Sequence, residues 1–201
     1  MGTTVERICN QALARIGVSD FITDIVEETP EAAACLSIYD NVRDLVLASF
    51  PWRFATKRAT LASPSGVERD GWDHVYTLPS DFLELVLIAP ENRNPVPTSR
   101  AAFATEMNDA GDGLLLLTDD ADGNISYISN DVEPIVYSPH FADALSWLLA
   151  SELALTLAGV KEGLSNAAAV KYKMSLSQAA SRDGNAGYEP EPESALITIR
   201  S

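Results

Sequence analysis

The sequence predicts an α+β fold: a four-helix bundle with a small antiparallel β-rich insertion between helices two and three. Apolar residues recur at three- and four-residue spacings near both ends of the chain, and that periodicity changes in the middle, where Pro, Gly, Ser and Asp turns separate short apolar runs. The two helical pairs also carry complementary apolar stripes. The expected division is a bundle from 1–51 and 138–183, an insertion from 52–137 and an extended C-terminal tail from 184–201.

Within residues 3–16, Val5, Ile8, Cys9, Ala12, Leu13 and Ile16 form one helical stripe, which Gly17 stops. Val18–Thr29 reads as a loop. Thr29 can cap a second helix that has Pro30 in its first position, runs to about Ser49 and turns Cys35, Ile38, Tyr39, Val42, Leu45 and Val46 inward. Pro51 ends it. Arg53, Lys57 and Arg58 flank Phe54 in an expected extended linker, and Ser63-Pro64-Ser65-Gly66 reads as a turn.

His74–Leu78 and Phe82–Pro90 read as strands joined by Pro79-Ser80-Asp81, and Leu85–Ile88 need cover on both faces. Leu114–Thr118 and Asn124–Ile128 read as a hairpin through Asp119-Asp120-Ala121-Asp122-Gly123. Asn94-Pro95-Val96-Pro97 is an expected loop, and Arg100–Asn108 fits either a short strand or a helix. From Pro139, Phe141, Leu145, Leu148, Leu149, Leu153 and Leu157 define a third helix, with alanines that permit close helix contacts and Gly159 as its stop. A fourth, from about Ser165 through Ala180, places Ala169, Tyr172, Leu176 and Ala179 on one side. The run Tyr188–Glu193 alternates Glu and Pro, which neither buries itself nor continues a helix.

The chain has 201 residues, enough to bury a core without a metal or disulfide. Its longest apolar runs fall far short of the roughly 20 residues that cross a bilayer, so no membrane partner is expected. The opening segment reads as the start of helix one rather than a secretory signal. Gly2 invites comparison with a myristoylation signal, but Glu6 stands where that signal needs Ser or Thr. A formal charge of −15 argues against phosphate-directed nucleic-acid binding, which requires clustered Lys and Arg.

No catalytic, cofactor or metal site is expected. The two histidines, His74 and His140, sit in a predicted strand and at a helix start, and no G-x-S-x-G elbow positions a serine. Cys9 and Cys35 lie among apolar helical residues and read as buried thiols, with an interhelical bridge as the alternative. Asp119, Asp120, Asp122 and Asn124 superficially resemble a calcium loop. Registering Gly123 on that loop's glycine leaves Thr118 and Ser129 where acidic ligands belong, so the match fails. Gly111-Asp112-Gly113 lacks the Lys and following helix of a phosphate loop. Arg53, Lys57, Arg58 and Arg69 can satisfy neighbouring carboxylates, hold the linker or face an acidic partner, with a DNA contact as the alternative. Trp52 and Phe54 suit hinge packing or a subunit interface, and Trp72 and Tyr76 suit either purpose.

Several segments together resemble the phage tail tubular protein A family, the head-to-tail adaptor or gatekeeper of short-tailed bacteriophages. Ile8-Cys9-Asn10-Gln11-Ala12-Leu13-Ala14-Arg15-Ile16-Gly17 is similar to its opening, and Ala34-Cys35-Leu36-Ser37-Ile38-Tyr39-Asp40 to its second helix. Phe50-Pro51-Trp52-Arg53-Phe54-Ala55 resembles its helix-to-sheet junction, and Tyr76-Thr77-Leu78-Pro79-Ser80-Asp81-Phe82-Leu83 the strand and turn that follow. Leu117-Thr118-Asp119, Tyr127-Ile128 and Pro139-His140-Phe141-Ala142-Asp143-Ala144-Leu145 extend the resemblance.

The resemblance implies a non-enzymatic virion protein of the head-to-tail interface, assembled in the host cytoplasm into a homo-oligomeric, typically dodecameric ring. Its implied partners are the portal protein, the tail nozzle protein and genomic DNA, which passes through the channel without sequence-specific binding. Asp109, Asp112, Asp119, Asp120 and Asp122 are candidates for the bore, and the tail for portal contact. The competing classes are a monomeric protein-binding or regulatory module, and a bundle-containing enzyme whose turnover depends on His74 or His140.

Overall fold

A computed structural model describes residues 2–88, 102–157 and 162–185. Among them, four helices and six strands follow the expected order of two helices, a β-rich insertion and two helices. Helix α1 (Val5–Arg15) begins where the Thr4 side chain accepts the Arg7 N–H at 3.3 Å. It ends at Gly17, whose φ of +80° is open to glycine at little cost. There Gly17 N–H reaches the Ala14 carbonyl and Val18 N–H the Leu13 carbonyl, each at 3.1 Å, so the last turn closes its own acceptors. Helix α2 (Pro30–Ala48) starts with Thr29 accepting the Ala32 N–H at 3.2 Å. It buries Ala32, Cys35, Tyr39, Val42, Val46 and Leu47. Leu45, expected inside, is instead 64% exposed; Val46 and Leu47 take the inward positions beside it.

Helix α3 (Pro139–Thr156) is the hub of the bundle, packing against α1, α2 and α4 (Glu162–Gly184). That position explains its composition. Phe141, Leu145, Leu149 and Leu153 are fully buried, while Ala144, Ala150 and Ala154 are buried where larger side chains would hold the helices apart. Helix α4 buries Ala168, Ser175 and Ala179, with Tyr172 and Leu176 packed partly against the core. It runs beyond the expected Ala180 to Gly184, and in that last turn Asp183 accepts the backbone N–H of Arg53 at 3.0 Å, tying it to the segment after α2. The expected stop at Gly159, the loop at 94–97 and the tail from 186 lie outside the described residues.

Among its described residues, the insertion contains two three-stranded antiparallel sheets. One has the order β1 (Thr56–Thr60), β6 (Asn124–Ser129), β3 (Phe82–Ile88); the other has β2 (His74–Thr77), β5 (Leu114–Thr118), β4 (Phe103–Met107). Leu61, Tyr76, Leu78, Leu116, Ile125 and Tyr127 form a buried cluster that draws on both sheets. Ile128, Leu83 and Val86 join the bundle core instead.

The pattern along β3 has a local cause. Its register against β6 skips one residue between Phe82 and Glu84 and another between Leu85 and Leu87. Those two bulges let Phe82, Leu85 and Ile88 pack on the insertion core while Leu83 and Val86 pack on the bundle, although simple alternation would not allow it.

The expected hairpin of Leu114–Thr118 with Asn124–Ile128 is corrected. Strand β5 already pairs with β2 and β4, and β6 with β1 and β3, so neither has a free edge for the other. The Asp119–Gly123 turn carries the chain from one sheet to the next. The hairpin that does form joins β4 to β5, pairing Met107 with Leu114. The expected linker after Phe54 contains a short 3-10 turn, Arg53–Ala55, and then β1. Within Arg100–Asn108, the alternative realised is a strand.

Candidate functional site

The geometry concentrates at the junction between bundle and insertion. Trp52 is fully buried, and its indole N–H donates to the Val46 carbonyl at 2.8 Å, satisfying an acceptor at the end of α2. Its ring meets Phe141 at 5.1 Å and 79°, and Phe50 at 5.0 Å and 61°, both edge-on. Phe54 meets Phe141 at 4.9 Å, and Tyr137 meets Phe141 at 4.8 Å. Five aromatic rings from two chain segments, 50–54 and 137–141, thus pack the chain between α2 and β1 against the start of α3. Such contacts add about 0.5–1.5 kcal/mol per pair to ordinary burial.

A second anchor lies at the corner before β3. Asp81 accepts Lys57 Nζ at 2.8 Å, the Ser129 hydroxyl at 2.7 Å and the Tyr127 hydroxyl at 3.0 Å. Burial pushes its carboxyl up, but these donors outweigh burial and hold the group at about 2. Lys57 also reaches Asp131 at 2.9 Å, and the two carboxylates hold its ammonium above the usual lysine range.

A third anchor crosses the bundle. Arg15 donates to the Asp143 carbonyl at 3.0 Å and to the Ser146 hydroxyl at 2.6 Å, and it pairs with the Asp143 carboxylate. Its guanidinium lies 3.9 Å from the Trp147 ring centroid, while Ser175 on α4 donates to the other Asp143 oxygen. One network therefore ties α1, α3 and α4.

Two surface features made from different elements stand out. A cleft of about 260 Å³ lies between α1, α2 and the 130–137 segment, with Asp40, Asp131 and Glu133 among its lining residues. Arg43 also lines it, neutralised by Asp40 and Asp44 at 2.8 Å each. Leu36 on the rim is 52% exposed. Tyr39 lines the same cleft; its buried hydroxyl has no hydrogen-bond partner among the described residues. Burial and the neighbouring Tyr137 phenol keep that hydroxyl protonated. On α4, Val170 is 60% and Met174 55% exposed, beside exposed Lys171 and Lys173.

The residues weighed in the sequence fall into local roles. Cys9 and Cys35 are buried and unbridged. Their mutual hydrogen bond and burial push the Cys9 thiol above its ordinary range, which makes it a packing group rather than a nucleophile. His74 stacks on Tyr76 with ring centroids 6.2 Å apart, whereas His140 is exposed in the first turn of α3. Among the described residues, no group of three or more His, Cys, Asp or Glu side chains could hold a metal ion.

Asp119 and Asp120 accept backbone N–H groups of Asp73 and Asp122, and Asn124 accepts the Thr60 hydroxyl. These oxygens shape a turn rather than converge on a point. Asp109 pairs with Arg69, and Asp112 accepts the Asn108 side chain. The five acidic bore candidates divide between the two ends of β5, so the fold does not gather them. Arg69 also pairs with Glu106, while Arg53 and Arg58 are exposed. Trp72 packs on the outer cluster of Val75, Leu115 and Leu117.

The Arg15–Asp143 network and the Tyr39 cleft escaped sequence reasoning. A lone Asp within the apolar face of α3 was the available signal for the first. Nothing local signals the second, because its walls are about ninety residues apart in sequence. The sequence matches no protein-family model and no curated protein.

Proposed function

We propose that the chain is a non-enzymatic head-to-tail adaptor of a short-tailed bacteriophage, a ring subunit between portal and tail nozzle through which DNA passes. The observation that carries this reading is a subunit with two chemically unlike exposed features, the acidic cleft and the apolar, basic face of α4. Closed rings need that asymmetry, because each subunit's front must meet its neighbour's back. The aromatic junction and the Asp81 corner support the reading by tying bundle and insertion together, so that load on one is passed to the other. The charge of −15 suits a channel that does not retain DNA phosphates. The motif resemblance supplies the partners.

Deleting the gene from the phage that carries it tests the reading. Filled heads that lack tails, rescued by supplying the chain in trans, are the expected outcome. Intact tailed particles that contain no copy of the chain would overturn it.

A further inference from the structure

We propose that the exposed face of α4 in one copy seats in the acidic cleft beside α2 of the next, forming the repeated contact of the ring; this inference rests on the adaptor reading. Charge selects the pairing. Helix α4 carries three basic against two acidic residues in a chain whose overall charge is −15. The loop and helix start that supply Ile25 to the cleft, from Asp20 to Glu31, carry five acidic residues and no basic one. Within and beside the cleft, Glu133 faces solvent, Asp131 shares Lys57 with Asp81, and Asp40 shares Arg43 with Asp44, so carboxylates outnumber cations. Lys171 and Lys173 therefore meet negative potential there, whereas two α4 faces docked on each other would bring like charges together.

Size and polarity agree. The cleft, at about 260 Å³, falls below the roughly 300–1,000 Å³ usual for small-molecule sites. It suits side chains of one helical turn, and Met174 is unbranched and adapts to irregular apolar walls such as Leu36 and Ile25.

Pairwise cross-linking tests the contact in the full chain. Leu36 and Met174 are both more than half exposed, so Leu36→Cys and Met174→Cys leave the core alone, while Cys9 and Cys35 are fully buried. Oxidising a mixture of the two single variants is expected to give covalent dimers that neither gives alone; the double variant is expected to give a ladder. In parallel, Lys171→Glu with Lys173→Glu is expected to raise the concentration needed for assembly about tenfold, and adding Glu133→Lys to restore it, with unchanged melting in each case. Dimers from either single variant alone, or imaged rings that do not cross-link in the mixture, would overturn the pairing while leaving the adaptor reading intact. A chain that forms no ring, alone or on a portal complex, would overturn both.

Discussion

Trp52 fills the angle between α2 and β1 while its indole N–H closes one of the last carbonyls of α2. Replacing it with alanine removes the packing of a fully buried indole and one of the donors to the Val46 carbonyl, which keeps the Ser49 hydroxyl at 2.7 Å. Trp52→Ala is expected to cost about 3–5 kcal/mol, read as a lowered denaturant midpoint with loss of near-ultraviolet dichroism. Unchanged unfolding would contradict the junction's structural role. Asp81 gives a pH signature with a definite sign. Its folded pKa of about 2 lies below its ordinary 3.8, so its stabilisation is complete above 3.8 and is lost as pH falls through 2. Since Lys57 is 40% exposed, solvent screening leaves a contribution of about 1 kcal/mol. Acid titration of Asp81→Asn beside the parent is expected to show the two stabilities converging between those values. The two residues differ in how legible they were. Trp52 announces itself beside Pro51 where helical periodicity ends, but Asp81 reads locally as a turn residue because its donors are 24, 46 and 48 residues away.

Among the elements, the helices were legible because amphipathic period and cap chemistry agree. Thr29 with Pro30, and Ser138 with Pro139, mark starts that the structure places at the same residues. The strands were legible as segments but not as pairings. A continuous run such as Leu114–Leu117 signals burial on both faces, yet only the neighbours on either side show that β5 is a central strand and the following Asp-Gly turn a corner between sheets. Strand β1 was hidden by Lys57 and Arg58, whose charged ends reach solvent or carboxylates while the backbone pairs with β6.

Gly123 tests the corner. Its φ is +62°, and a Cβ there would stand 2.7 Å from the Tyr76 ring, whose hydroxyl donates to the Ala121 carbonyl at 2.7 Å. Gly17 has a φ of +80° with open space around it. Gly123→Ala is expected to lose about 2 kcal/mol or more and Gly17→Ala about 1, measured by thermal melts. Equal losses would show that the Tyr76 contact does not matter.

For the whole molecule, a bundle hub, an aromatic junction and a two-sheet insertion make one braced body with distinct exposed surfaces. Residues 186–201 combine a Glu-Pro run with a short β-branched end, a composition suited to an added contact rather than to a core of its own. Removing Ala186–Ser201 is expected to weaken portal attachment by tenfold or more, on the order of the loss of one binding segment, while leaving the melting temperature unchanged. Sedimentation with portal complexes reads the first and calorimetry the second; undiminished portal binding would remove that role from the tail. The central claim is the head-to-tail ring, and negative-stain electron microscopy addresses it most directly, imaging the purified chain alone and after mixing with the portal protein of the same genome. The account predicts rings, free or stacked coaxially on the portal. Well-folded monomers that leave an intact portal undecorated would contradict it.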